Sequence, residues 1–422
     1  MPAVTDRLSE TSHRLCLASP VFFPTYGGSL LRFKSYLPGL IQRGLDVRVY
    51  TGTPHNKEMS AEEARQWDSY PVGEFMPLST VDDVPVHRVR LPDTKGKSRT
   101  GIFNDRMLEF CDTPEYRPDV IQMVGPLKPR SIPLLKQLRE RGIRTLYAVT
   151  VAPPKPAKRK WYSRSQRREV ELFEQLDCIV TNNEPLKTFV REMGIRTRVE
   201  VIPNGIDLTR FRPAENPGET QALRQSLGIS ATDIMITTVG GVMPRKGSDL
   251  LIEAWATLAQ AYPNTHLVLV GPRKDIDQPG LKLFRRRLES LIKQSGAPER
   301  VHFTGLIDNV DTLARASDIF VLPSEREGMP NSVLEAMASR VPVIITPFTG
   351  LSSDLGTAGT HYLLSERTAP ALSEHLKKLL DSVEYRTTLA RSGYDWVSNT
   401  LGLDKSLDRY AGLYHELASN RG

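Results

Sequence analysis

Short apolar runs separated by longer amphipathic stretches recur along this chain, and that alternation leaves few folds open to it. In the first half, residues 14–18 (RLCLA), 46–50 (DVRVY), 119–122 (DVIQ), 145–149 (TLYAV) and 178–181 (CIVT) read as strands. Between them, 29–43 and 134–141 carry apolar residues at helical spacing, the first ending at Gly44. The second half repeats the order, with strands at 234–239, 266–270, 301–303, 319–322 and 343–345 and helical stretches between them, 250–261 among them. Apolar strands linked by helices call for parallel sheets with helices on both faces. Two such series predict two doubly wound α/β domains with a cleft between them.

The length of 422 residues is natural for two domains. Pro203, Asn204 and Gly205 mark a turn between the halves, followed by a polar segment at 213–219. The expected division is 1–205 and 206–395, with 396–422 returning to the first domain. In that tail, a helix over 404–417 would place Leu407, Tyr410, Leu413, Tyr414 and Leu417 on one side. Residues 55–100 read as irregular and polar. No apolar run approaches the roughly 18 residues of a membrane span, and the start lacks a charged-then-apolar signal pattern. The expected location is the cytoplasm. Cys16, Cys111 and Cys178 are scattered, which argues against a disulfide framework or a zinc site and for buried small residues.

Charge is unevenly placed. Residues 1–213 hold 34 Lys+Arg against 25 Asp+Glu, a balance of +9, and the remainder holds 22 against 24, a balance of −2. Such asymmetry suits an anionic partner for the first half, or a solvated charged surface. Its densest stretch, 155–168 (KPAKRKWYSRSQRR), has seven bases and no acid around Trp161 and Tyr162. That composition suits an anionic membrane surface, a phosphorylated or carboxylated acceptor, or a solvated loop. No nucleic-acid recognition fold accompanies it, so nucleic acid is not expected.

Three segments carry candidate chemistry. The first, 323–338 (PSEREGMPNSVLEAMA), follows a strand and opens a helix near Pro330. Proline suits a first helical turn, and free N–H groups at a helix start favour an anion such as a diphosphate. Glu327 lies before this helix and Glu335 more than one turn into it. Each carboxylate is able to accept hydrogen bonds from two neighbouring hydroxyls of a sugar ring, so Glu335 would take a ribose and Glu327 a second sugar. The same pattern also suits a surface glutamate and a capping charge. The second segment, 239–249 (VGGVMPRKGSD), runs from a strand through Gly240 and Gly241 to Arg245, Lys246 and Gly247. Glycines allow the backbone to approach phosphate, Lys246 is a compact point charge for phosphate oxygens, and Arg245 offers a planar fork. A solvated basic turn would look alike. The spacing is not that of a P-loop. The third, 24–29 (PTYGGS), is a weaker signal: Gly27 and Gly28 would face the diphosphate from the opposite side of the cleft, or simply make a tight turn.

Together these stretches resemble the retaining glycosyltransferases of family 4, which have the GT-B fold. The match runs over nearly the whole chain: PTYGGS, RGLDVRVYTG (43–52), RPDVIQ (117–122), VIPNGIDLTRFRP (201–213) and the long stretch 302–344, whose E-x7-E pair falls on Glu327 and Glu335. The resemblance implies an enzyme that moves a sugar, with retention, from a nucleotide-diphospho-sugar to a hydroxyl acceptor such as a glycolipid, a polysaccharide or a small metabolite. It implies that Lys246 meets the diphosphate and that Gly305, Leu306 and Val310 meet the base, largely through backbone. It assigns Gly328, Met329, Pro330 and Asn331 to the sugar or phosphate. Glu327, Lys246 and Arg245 are the expected catalytic group, and Gly27, Gly28, Gly241 and Glu335 complete the donor contacts. UDP is the expected nucleotide, with GDP and ADP open. No cofactor and no metal are expected, and an anionic acceptor or membrane surface would place the chain at the inner face of a membrane.

The chain departs from the family in three places. Gly241 stands where an arginine is usual, and Arg245 is expected to fill part of that role. Ala152 and Gln122 stand where histidines are common. Rival readings are a GT-B epimerase or phosphorylase and a non-catalytic binding subunit. An NAD enzyme is disfavoured because the first turn is not GxGxxG. His302 begins a buried strand and reads as structural.

Overall fold

A computed structural model describes residues 12–23, 28–54, 61–93, 97–113, 115–151, 164–273 and 279–420. The chain forms two units, Met1–Ile202 with Asp404–Gly422, and Pro203–Leu403.

The first unit holds an eight-stranded sheet of β1 (His13–Ser19), β2 (Leu45–Gly52), β3 (Ser79–Val81), β4 (Val84–Val89), β5 (Val120–Met123), β6 (Arg144–Val149), β7 (Cys178–Thr181) and β8 (Arg198–Val201). Its order is β3-β4-β2-β1-β5-β6-β7-β8, parallel throughout except for the β3–β4 pair. Every residue of β5 and β7 is buried, as continuous apolar runs require when helices cover both faces. All three cysteines are buried and unpaired.

Residues 55–100 correct the sequence reading, because they are not irregular throughout. A helix spans Ala61–Asp68, and β3 and β4 form a hairpin on the sheet edge. Asp82 and Asp83 make its two-residue turn at φ 51° and 64°, a left-handed pair that Asp tolerates better than most residues. The alternation of Val84 and Val86, buried, with Pro85 and His87, half-buried, was the available signal.

The helix Leu403–Ser419 buries Leu407, Tyr410, Leu413, Tyr414 and Leu417 in the first unit. The Tyr410 ring meets Phe33 and Tyr36 edge-on, at 5.8 and 5.7 Å between centroids. The Tyr414 hydroxyl lies 3.1 Å from Gln122 Oε1, so the residue standing in place of a family histidine is fastened to the tail. Arg43 pairs with Asp404 at 2.9 Å and Asp408 at 2.7 Å. The return to the first unit comes at 403/404 rather than 395/396. The preceding helix, Val383–Thr400, stays with the second unit because Leu389 and Val397 pack into its core.

The second unit holds β9 (Ile234–Val239), β10 (Thr265–Val270), β11 (Val301–Gly305), β12 (Ile319–Leu322), β13 (Val343–Ile345) and β14 (Leu363–Leu364). All pairs are parallel, in the order β11-β10-β9-β12-β13-β14. The chain builds outward from β9 to β11, then returns to lay β12 on the other side of β9. Between β9 and β12 the strand order reverses, and the loops leaving their carboxyl ends diverge around a crevice, the usual ligand position in an open α/β sheet. Among the described residues, no helix is long and apolar enough to cross a membrane.

Candidate active site

Both loops at this reversal carry the residues singled out in the sequence. After β9 the chain makes a single tight turn, Pro244–Lys246, and after β12 it runs through Glu327 into the helix Asn331–Ala338. Lys246 Nζ donates to Glu327 Oε1 at 2.6 Å. Arg245 Nη1 lies 3.4 Å from the same oxygen and also donates to the Arg326 carbonyl. The Glu325 N–H in turn donates to the Arg245 carbonyl at 2.9 Å. Glu327 is only 7% exposed, and these cations offset the cost of burying its carboxylate.

The backbone around the pair is held by glycines where side chains would collide. Gly247 has φ 68°, and a Cβ there would stand 2.3 Å from the Pro323 carbonyl oxygen. Only glycine accepts both the left-handed angle and that contact. Gly271, at φ 133°, brings its backbone against Gly240, where a Cβ would lie 2.3 Å from the carbonyl oxygen. Its N–H donates to the Gly305 carbonyl at 2.9 Å. The carboxyl ends of β9, β10 and β11 thus converge without side chains between them. Gly241 is flanked by Met243 and the Pro272 carbonyl.

Pro330 takes an extended conformation at φ −73° and ψ 112°, and no acid occupies the first turn of the helix it precedes. Its N–H groups therefore present positive potential with no carboxylate competing from within that turn. Gly328, Met329 and Pro330 are buried and Asn331 half-buried. Asn204 fixes this loop: its Nδ2 donates to the Met329 carbonyl at 2.9 Å and to Asn331 Oδ1 at 2.7 Å. Glu335, one turn further on, is half-buried. Loss of solvent lifts its carboxyl to about 7, Arg210 opposing the shift and Asp311 adding to it.

The remaining expected residues lie as follows. Gly305 ends β11 at φ 68°, Leu306 is 55% exposed, and Val310 starts the helix Val310–Ala316. Gly28 is the first residue of the helix Gly28–Gln42 in the first unit, with no atom of the described residues near the position of a Cβ. Gly27, Ala152 and residues 155–163 of the basic stretch lie outside the described residues. His302 is half-buried, with Nε2 3.1 Å from His266 Nδ1. Sequence reasoning missed Asn204 and Arg367. The Arg367 guanidinium donates to the Pro323 carbonyl at 3.1 Å and the Pro244 carbonyl at 3.2 Å, tying the two loops together. Asn204 was visible only as a turn residue, and Arg367 had no local signal.

Sequence comparisons give the family, and structural comparisons give the fold. Residues 219–396 match the family described as glycosyl transferases group 1, and residues 27–205 match the glycosyl transferase 4-like domain. The mannosylfructose-phosphate synthase of Agrobacterium fabrum is 28% identical over 204 residues, 47% of this chain and 44% of the relative. The UDP-Gal:alpha-D-GlcNAc-diphosphoundecaprenol alpha-1,3-galactosyltransferase of Escherichia coli is 25% identical over 246 residues, 58% of this chain and 61% of the relative. The chain thus spans about half the length of the curated relatives it matches. An Anabaena protein crystallised with UDP and glucose superposes with a TM-score of 0.73 at 17% identity, covering 96% of this chain and all of that one. With both units matched in sequence and the architecture shared, the chain belongs to the glycosyl transferases group 1 family and has the GT-B fold.

Proposed function

We propose that the protein is a retaining glycosyltransferase that uses a nucleotide-diphospho-sugar, with UDP as its nucleotide, and an alcohol acceptor on a glycolipid, a polysaccharide or a small metabolite. The observation that carries this reading is the Lys246–Glu327 pair, 2.6 Å apart at the reversal of the second sheet. A diphosphate entering beside the helix start would take Lys246 from Glu327. The freed carboxylate would accept hydrogen bonds from hydroxyls of the transferred sugar, and Glu335 would accept them from the ribose. In the transfer, the bond from the anomeric carbon to the diphosphate oxygen breaks and a bond to the acceptor oxygen forms on the same face. The acceptor proton passes to the departing diphosphate, so no protein nucleophile is needed. Lys246 and the helix N–H groups would stabilise the charge growing on the leaving group.

The E. coli relative's name specifies a UDP-sugar and a lipid-diphosphate acceptor, and the Anabaena structure holds UDP. Both support the choice of nucleotide, and the name of the E. coli relative alone supports a lipid-linked acceptor. Thermal unfolding against UDP-glucose, UDP-galactose, GDP-mannose and ADP-glucose tests it. A true donor raises stability by about 2.7 kcal/mol at a hundredfold excess over its dissociation constant. If none of the four shifts the unfolding midpoint, the donor reading fails. If only a GDP- or ADP-sugar does, the nucleotide is reassigned.

A further inference from the structure

We infer that the first unit carries a second anion site, for a phosphate-bearing ligand, at the amino-terminal edge of its sheet. This inference is independent of the donor-site reading. The strands β1, β5 and β6 are neighbours, and the residues at their amino ends enclose a cavity of about 450 Å³. Five arginines line it: Arg14 from β1, Arg117 from the turn before β5, and Arg139, Arg141 and Arg144 from the helix end and turn leading into β6. One acid, Asp119, stands among them.

The arginines divide into two sets. Arg141 is held by Asp112, with Nη2 at 2.9 Å, and Arg144 by Asp177 at 3.0 Å. Asp119 accepts from the Arg14 backbone N–H at 2.8 Å. Among the described residues, Arg14, Arg117 and Arg139 form no ion pair. Arg117 donates to the Arg141 carbonyl, Arg139 donates to the Gln175 carbonyl at 2.5 Å, and the Arg14 guanidinium lies 5.9 Å from the centre of the Tyr116 ring. Among the described lining residues Asp119 is the one carboxylate beside five arginines, and Asp112 and Asp177 reach Arg141 and Arg144 from outside the lining. A planar guanidinium with unused donors grips two oxygens of a phosphate at once, and a cavity lined mainly by one sign of charge concentrates the field. The cluster lies at the amino ends of β1, β5 and β6, opposite the loops that leave their carboxyl ends.

Titration calorimetry on the full chain at low salt tests the site, with inorganic pyrophosphate as the soluble probe in a Lys246→Ala background that weakens the donor position. A flotation assay with phosphatidylglycerol vesicles is the second arm. Arg14→Gln, whose side chain makes no hydrogen bond among the described residues, should weaken binding about tenfold, and Arg14→Gln/Arg117→Gln/Arg139→Gln about a hundredfold or more. Loss of pyrophosphate binding in the variants identifies a soluble phosphate ligand, and loss of vesicle binding identifies a lipid headgroup. Hydrogen exchange on the Lys246→Ala chain, whose first unit is unaltered, should show pyrophosphate protecting 117–144, whether or not the triple variant folds. Equal binding with and without the three arginines, or no protection of 117–144, overturns the inference.

Discussion

Replacing Glu335 by glutamine removes a charge that the fold shelters at a cost, and the cost depends on pH in a direction the structure fixes. In the unfolded chain this carboxyl ionises near 4.5, and in the folded chain it holds its proton to about 7. Below the lower value both states are protonated and burial costs nothing extra. As pH rises between the two, the unfolded chain releases the proton while the folded chain keeps it, so stability falls. Above the higher value the penalty is constant. At about 1.4 kcal/mol per pH unit the interval corresponds to roughly 3 kcal/mol, and remaining solvent contact lowers it to about 1–3 kcal/mol. Glu335→Gln should therefore raise the unfolding midpoint of the second unit by about 2–12 °C near pH 8.5 and by about 1 °C or less near pH 4.5. The same variant should bind the donor about tenfold more weakly, because a neutral amide with one accepting oxygen replaces a carboxylate with two. Differential scanning calorimetry at the two pH values reads the first effect. An equal gain at both, or a loss near pH 8.5, would show that the carboxylate is not penalised by burial.

Two further changes probe the backbone under the site. Gly247→Ala forces a Cβ against the Pro323 carbonyl at a left-handed φ; it should cost about 2 kcal/mol or more in urea unfolding and weaken donor binding, and a variant as stable as wild type would contradict the contact. Asn204→Ala removes both hydrogen bonds that hold the Met329–Asn331 loop; it should cost about 1–3 kcal/mol by the same measurement, and a negligible cost would mean the loop is held elsewhere.

Much of the fold was legible because strands buried on both faces announce themselves as apolar runs. Ile234–Val239, Ile319–Leu322 and Val343–Ile345 were read to the residue. The β3–β4 hairpin was not, because β4, next to the edge strand, mixes Pro85, His87 and the buried Arg88 with its valines. The tail helix was legible from its apolar stripe, whereas the crossing was set at 395/396, inside the helix Val383–Thr400, rather than at 403/404, since only packing decides that. In the site, Lys246 and Glu327 were visible as charged residues beside glycine turns at strand ends. Their direct pairing was not, and neither was the turning of Arg245 toward the Arg326 carbonyl. Arg367 was invisible because it reaches the site from more than forty positions beyond Pro323 in sequence.

The most direct test is calorimetric titration of UDP into wild type, Lys246→Ala and Glu327→Gln. Lys246→Ala should lose about ten- to a hundredfold in affinity, the worth of one charge-assisted contact to phosphate. Glu327→Gln should bind UDP at least as tightly as wild type, because the competing carboxylate 2.6 Å from Lys246 is gone, while transfer from the UDP-sugar falls steeply. Unchanged affinity in Lys246→Ala, or full transfer activity in Glu327→Gln, would contradict the account.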